Sequence, residues 1–169
     1  MTTTTVIEHM FVLGIDPGLS VTGYGLVEGT QPPTALTAGV IRTDKDAPTS
    51  ERLEELHRGL SDVFGESTPD AVALESVFTN RNLQTAISVG RASGVALLVS
   101  AQFDVPVFEY VPTSVKAAVT GDGSAGKPQV QTMVSRLLRL AELPKPPDVA
   151  DALALALCHL RAAPLEARR

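Results

Sequence analysis

The chain has 169 residues and is acidic, with 14 Lys and Arg against 19 Asp and Glu and a formal net charge of -5. This charge argues against a general polyanion binder, because neutralising phosphates requires lysine and arginine placed along the nucleic acid. A length of 169 residues with 44% hydrophobic residues predicts a single domain, 1–169, with a sizeable core.

The spacing of apolar and turn residues predicts strands and helices in an order typical of a mixed sheet. Strands are predicted near 10–16, 22–28 and 35–42, a helix near 49–65, a strand near 70–75, a long helix near 80–102, a strand near 105–110, and helices near 112–119, 127–141 and 148–161. The three leading strands indicate an antiparallel meander, and the later strand-helix alternation indicates parallel additions to the same sheet. We therefore expect an α/β fold with helices on the faces of a mixed sheet.

The termini and the cysteine content bear on the compartment. No uninterrupted apolar span approaches the length of a membrane helix. Residues 1–9 are expected to form a flexible tail, and they lack the basic start and apolar core of a secretory signal. The single cysteine, Cys158, excludes an internal disulfide and suits a reducing cytoplasm. The three histidines, His9, His57 and His159, have no zinc-like spacing and are predicted to be structural or surface residues.

An apolar strand runs directly into an acid at Asp16, and Pro17 with Gly18 then turns the chain. The strand should therefore leave the Asp16 carboxylate at its end, facing a cleft. The alternative is an aspartate that caps the turn through its own backbone. Further acids elsewhere in the chain, at the ends of other elements, favour a carboxylate that faces a cleft.

Three more acids stand at the ends of predicted elements. Glu75 ends the short strand near 70–75, and Asp148 and Asp151 open the last helix. These two aspartates are three residues apart, so they share one helix face. The alternative for them is an N-cap and a first-turn acid, both favoured by the helix dipole.

Clustered carboxylates repel one another unless a cation lies between them, and their hard oxygens suit Mg²⁺ or Mn²⁺. Two such ions, roughly 3.5 to 4 Å apart, activate a water and stabilise the leaving oxygen of a phosphodiester displacement. The four acids therefore predict a metal-dependent phosphodiesterase site that needs no protein nucleophile.

Several runs of this sequence resemble the RuvC family of Holliday-junction endonucleases, within the ribonuclease-H-like superfamily. The resemblance extends from about residue 11 to about residue 160 and rests on GIDPG at 14–18, TGYG at 22–25, LESVF at 74–78, GRASGVA at 90–96, PVFEY at 106–110, GDGSAGK at 121–127 and DVADALA at 148–154. It implies a ribonuclease-H-like, five-stranded mixed sheet. It also implies an endodeoxyribonuclease that nicks two opposing strands of a four-way junction and leaves 5′-phosphate and 3′-hydroxyl ends.

The resemblance assigns roles to particular residues. The four acids Asp16, Glu75, Asp148 and Asp151 are then the catalytic residues and the ligands of two Mg²⁺ or Mn²⁺ ions. The DNA contacts are then Phe78, Arg81, Lys116 and Lys127. For Phe78 two functions stay open, closing the end of the core or stacking on an unpaired base near the crossover.

The helix near 80–102 carries small and apolar residues at helical spacing, including Gly90 and Gly94. This face either packs on the chain's own sheet or approaches a second helix closely. The resemblance implies the second, a homodimer, and also implies the branch-migration proteins RuvA and RuvB as partners. No membrane contact is expected.

Two other functions are compatible with these residues. A ribonuclease-H-like enzyme that trims RNA would use the same acids, and a junction-binding module without catalysis would keep the lysines and the dimer helix. Cleavage of junction DNA compared with structured RNA, in the presence of magnesium or manganese, distinguishes the three.

Overall fold

The computed structural model describes residues 9–76 and 82–166, and the expected tail over residues 1–9 lies almost wholly outside them. Within these ranges, the strands are β1 Phe11–Asp16, β2 Val21–Glu28, β3 Thr34–Arg42, β4 Ala71–Glu75 and β5 Val107–Tyr110. The helices are α1 Thr49–Ser67, α2 Leu83–Gln102, α3 Pro112–Thr120, α4 Lys127–Leu137 and α5 Pro147–Glu166.

The five strands form one mixed sheet in the order β3-β2-β1-β4-β5. Strand β2 pairs antiparallel with both β1 and β3, whereas β4 pairs parallel with both β1 and β5. The predicted meander with parallel additions is therefore confirmed. Strand β1 lies at the centre of the sheet, so its end is flanked by the end of β4.

Side chains of each strand alternate between the two faces of the sheet. Helices cover both faces, so the sheet lies between two cores. Leu13 and Ile15 of β1 pack with α1 and α2 in one core. Val12 of the same strand packs with α3, α4 and α5 in the other. Successive residues of β1 therefore face opposite helical layers. Asp16 follows Ile15 and so faces the layer of α3, α4 and α5.

Two helix ends differ from the sequence prediction. Helix α4 ends at Leu137 rather than near 141, because Leu138 leaves the helical conformation and Arg139 adopts a left-handed φ of 52°. Helix α5 starts at Pro147 and continues to Glu166 rather than ending near 161. No glycine lies between 152 and 163, and the first residue that favours a helix end is Pro164, which α5 nevertheless includes.

Helix α2 starts at Leu83, after Asn82 accepts a cap hydrogen bond of 2.9 Å from the backbone N–H of Gln84. By length and composition alone α2 could cross a membrane, although polar residues and Arg91 interrupt its apolar sequence. Its inner residues Ala92, Ala96 and Val99 are buried in the sheet core, as in a helix that packs on its own domain.

Candidate active site

The two strand-borne acids lie side by side at one edge of the sheet. Strands β1 and β4 are parallel, and their residues Ile15 and Leu74 are register partners that both face the α1–α2 core. Because side chains alternate along a strand, the next residues, Asp16 and Glu75, face the opposite layer, where α5 lies. Two carboxylates thus reach the same side of the sheet at the carboxyl ends of adjacent strands.

Helix α5 brings the other two acids to that edge. It packs directly on the backbones of β1 and β2, where a Cβ on Gly14 would lie 1.8 Å from the Ala152 carbonyl oxygen and one on Gly23 would lie 2.2 Å from that of Asp148. Only glycine fits such an approach. The first turn of α5, which holds Asp148 and is followed by Asp151 on the same face, therefore lies close beside the strand ends.

The four acids line a single cleft of about 370 Å³. Its other walls come from the turn after β1, from α2, α3, α4 and α5, and they include Lys116 and Lys127. Asp148 lies within the first turn of α5, which starts at Pro147, rather than at the N-cap position. The four acids and the two lysines are six of the eight residues to which the resemblance assigns a role, and the structure brings these six together in one cleft.

Negative charge dominates the cleft. Burial raises the pKa of Asp16 to about 8, helped by the charges of Glu75 and Asp151, by a side-chain hydrogen bond with Glu75 and by the charge of Asp148. Lys127 places its Nζ 3.3 Å from Asp151 Oδ2, and this carboxylate is the main reason that the pKa of Lys127 is raised. At neutral pH and without a cation, the cleft therefore retains a proton on Asp16.

The donor set of the cleft fits a hard divalent cation. Its ligand atoms are carboxylate oxygens, the type that Mg²⁺ and Mn²⁺ prefer, and its excess negative charge needs compensation. Among the residues that the structure describes, no three His, Cys, Asp or Glu side chains form a ready-made cage. These carboxylates would hold such a cation, and because the pKa of Asp16 is raised to about 8, its carboxyl would have to lose a proton to take part.

The remaining predicted site residues divide into two groups. Lys116 lies half-buried in the cleft wall, and the side chain of Lys127 is 70% exposed at its rim. Phe78 and Arg81 lie outside the described residues.

Sequence reasoning missed Gly23 as a site residue, although a glycine inside a strand signals a close backbone approach. It also missed Arg52, whose position in α1 gives no sequence signal of its contact with the turn after Asp16.

The histidines and the cysteine lie away from the cleft. His9 pairs with Glu28 at 2.7 Å, His57 with Gln102 at 2.8 Å, and the buried His159 with Tyr110 at 2.6 Å. Cys158 is also buried. Structural or surface positions, as predicted, account for all four.

Comparison with known proteins decides the family. The model of the family "Crossover junction endodeoxyribonuclease RuvC" matches residues 12–159. This chain belongs to that family. RuvC of Desulforamulus reducens is 50% identical over 152 residues, which cover 89% of this chain and 93% of the relative, and RuvC of Thermomicrobium roseum is 50% identical over 160 residues, which cover 93% and 98%.

Solved structures agree with the family assignment. Thermus thermophilus RuvC in complex with a Holliday junction substrate matches with a TM-score of 0.88 and 39% identity, over 94% of this chain and 97% of that one. The yeast mitochondrial resolvase Ydc2, at 14% identity and a TM-score of 0.65, shares the fold. The ribonuclease-H-like fold expected from the sequence is confirmed.

Membership of the RuvC family makes this chain a divalent-metal-dependent endodeoxyribonuclease. The expected reaction class is therefore confirmed. The family favours it over both RNA trimming and junction binding without catalysis.

Proposed function

We propose that this chain resolves Holliday junctions in DNA recombination and repair by nicking two opposing strands, leaving 5′-phosphate and 3′-hydroxyl ends. The observation that carries the proposal is the convergence of four carboxylates, from β1, β4 and α5, on one cleft that also contains two lysines. The similarity to a relative whose structure contains a Holliday junction substrate supports a junction as the DNA.

The metal ligands in this proposal are Asp16, Glu75, Asp148 and Asp151, holding two Mg²⁺ or Mn²⁺ ions. When bound, such ions supply an activated water and stabilise the leaving oxygen of an in-line displacement. Asp16 has to lose its proton for this purpose, which the burial of its carboxyl opposes. Asp151, whose Oδ2 lies 3.3 Å from Lys127 Nζ, would offer that oxygen to a cation in place of the ammonium.

The DNA backbone is contacted by Lys116 and Lys127 at the wall and rim of the cleft. The ammonium of Lys127, now 3.3 Å from Asp151 Oδ2, would be available to a phosphate once a cation held that carboxylate. We assign Phe78 to stacking on a base near the crossover and Arg81 to a further DNA contact, on the resemblance alone, since both lie outside the described residues.

The outer face of α2 supports a homodimer. Leu83 is 74% exposed and Ile87 and Leu97 are each 41% exposed, and Gly90 and Gly94 have no atom within 4 Å of an added Cβ. This face therefore does not pack on the chain's own sheet, which was one of the two interpretations of the sequence. A two-fold contact through α2 would present one cleft to each of two equivalent strands of a junction.

The wider setting follows from the resemblance. We propose a cytoplasmic enzyme, formed by one nuclease domain, that acts with the branch-migration proteins RuvA and RuvB. No described residue is assigned to contact with either partner.

The direct test is incubation of the purified protein with a synthetic mobile four-way junction, with and without MgCl₂ or MnCl₂, followed by mapping of the product ends. A linear duplex with the same arm sequences and a structured RNA serve as controls. Paired nicks in opposing strands, dependent on the cation and specific for the junction, are expected. Equal cleavage of the linear duplex or of the RNA contradicts the proposal.

A further inference from the structure

An arginine outside the cleft holds the turn that follows Asp16. The turn after β1 forms part of the cleft wall through Pro17 and Gly18. From outside, the Thr43 hydroxyl donates a 2.6 Å hydrogen bond to the Leu19 carbonyl oxygen, and the Thr43 N–H donates one of 3.2 Å to that of Ser20. The connection between β3 and α1 therefore braces this turn.

Arg52 completes the brace. Its Nε donates to Thr43 Oγ1 at 3.0 Å, and its Nη2 donates to Ser20 Oγ at 2.9 Å. Arg52 lies one turn before Leu56, a fully buried residue, and so projects from the face of α1 that packs on the sheet. The guanidinium thereby connects a helix anchored in the core to the turn beside Asp16.

The partners of Arg52 are unusual for a cation. Its two hydrogen bonds are both to neutral hydroxyls, and Arg52 takes part in neither of the ion pairs found among residues 9–76 and 82–166. A planar guanidinium can hold two acceptors in a fixed relative position, which a lysine ammonium on a flexible stem cannot do. These contacts therefore fix the position of Ser20 relative to Thr43, and they pair no opposite charges.

We infer that Arg52 is a positioning residue for Asp16: it fixes the turn after β1 so that the Asp16 carboxylate meets the cation together with the other three acids. The inference rests on the proposed function of Asp16. It predicts that loss of the guanidinium impairs cation binding and turnover, whereas the affinity for junction DNA stays the same. A role as a phosphate contact would produce the reverse pattern.

The test compares Arg52→Gln with Arg58→Gln, a matched change at an exposed arginine of the same helix. We expect Arg52→Gln to lower the single-turnover nicking rate at saturating junction by about 10- to 100-fold. The Mn²⁺ concentration for half-maximal binding, followed by the electron paramagnetic resonance signal of free Mn²⁺, should rise by about tenfold or more. Arg58→Gln should behave as the wild type. Arg52→Lys should show a smaller loss than Arg52→Gln, because lysine keeps the positive charge but lacks the rigid pair of donors of the guanidinium.

Junction binding in EDTA over a range of salt concentrations supplies the independent readout. Unchanged affinity and salt slope in Arg52→Gln support positioning. A weaker affinity, with a salt slope smaller by about one, overturns it in favour of a phosphate contact. Unchanged Mn²⁺ binding and nicking overturn it in favour of a purely structural role.

Two further variants keep the test decisive. Should Arg52→Gln fail to fold, Ser20→Ala removes one acceptor of the guanidinium, and the same measurements apply with smaller expected changes. Asp16→Asn is assayed in parallel. Normal cleavage by Asp16→Asn would refute the proposed function itself, whereas an inactive Asp16→Asn beside a normal Arg52→Gln would refute the positioning role alone.

Discussion

Replacing Asp16 with asparagine should stabilise the metal-free protein while abolishing its activity. The folded-state pKa of Asp16 is raised to about 8 from an ordinary value of 3.8, chiefly by burial. Below pH 3.8 the carboxyl is protonated in both states, so its burial has no charge penalty. As the pH rises toward 8, the unfolded chain loses this proton and the folded chain keeps it, so folding stability falls by up to about 1.4 kcal/mol per pH unit.

Asparagine has the same shape and carries no charge, so Asp16→Asn should lose this pH dependence. In EDTA at pH 8, we expect its free energy of unfolding to exceed that of the wild type by a few kcal/mol. The difference should shrink as the pH falls and vanish below pH 3.8. Urea unfolding of both proteins at a series of pH values measures this difference in the free energy of unfolding. Asp62→Asn, on the exposed side of α1, is the matched control and should show no such effect.

The same variant should nick junctions at a rate lower by at least two to three orders of magnitude, roughly the loss seen when one group that stabilises developing charge is removed. Its junction affinity in EDTA should be close to that of the wild type. A destabilised Asp16→Asn at pH 8 would refute the electrostatic account of the cleft. Retained cleavage would refute the role of the carboxylate.

Two further predictions concern glycines. Gly23→Ala places a methyl group 2.2 Å from the Asp148 carbonyl oxygen, so the first turn of α5 has to move by about 1 Å. The nicking rate should fall by about 100-fold, and an unchanged rate would contradict the proposed position of Asp148. Gly90→Ala and Gly94→Ala add methyl groups that meet nothing in one chain, so each should stabilise the α2 helix of a monomer by about 1 kcal/mol. The same changes should weaken a dimer that packs through this face, and a dimer of undiminished affinity in analytical ultracentrifugation would exclude it.

Much of this fold follows from local sequence patterns. The apolar run into Asp16 and the shorter one into Glu75 specify two strands that end in acids, and alternation within those strands places both acids on the same face. The three-residue spacing of Asp148 and Asp151 likewise specifies a shared helix face. The boundary of α4 was less predictable, because its end depends on the left-handed conformation of Arg139, a residue that rarely adopts it.

Other features depend on contacts that are distant in sequence. The close approach of α5 to β2 requires both Gly23 and a helix more than 120 residues later, and neither alone indicates the distance between them. The bonds of Arg52 to Ser20 and Thr43 join three segments of the chain and leave no periodic signal. The raised pKa of Asp16 follows only from the assembled cleft, because burial and three other carboxylates cause it together.

The central claim, that the four carboxylates hold hard divalent cations, is tested most directly by anomalous scattering from crystals soaked in MnCl₂. The account predicts manganese peaks within ligand distance, roughly 2 to 2.3 Å, of oxygens from Asp16, Glu75, Asp148 and Asp151. Those peaks should be absent from crystals of Asp16→Asn or greatly reduced there. Manganese bound elsewhere on the protein, with the cleft empty while the same preparation cleaves junctions in MnCl₂, would contradict it.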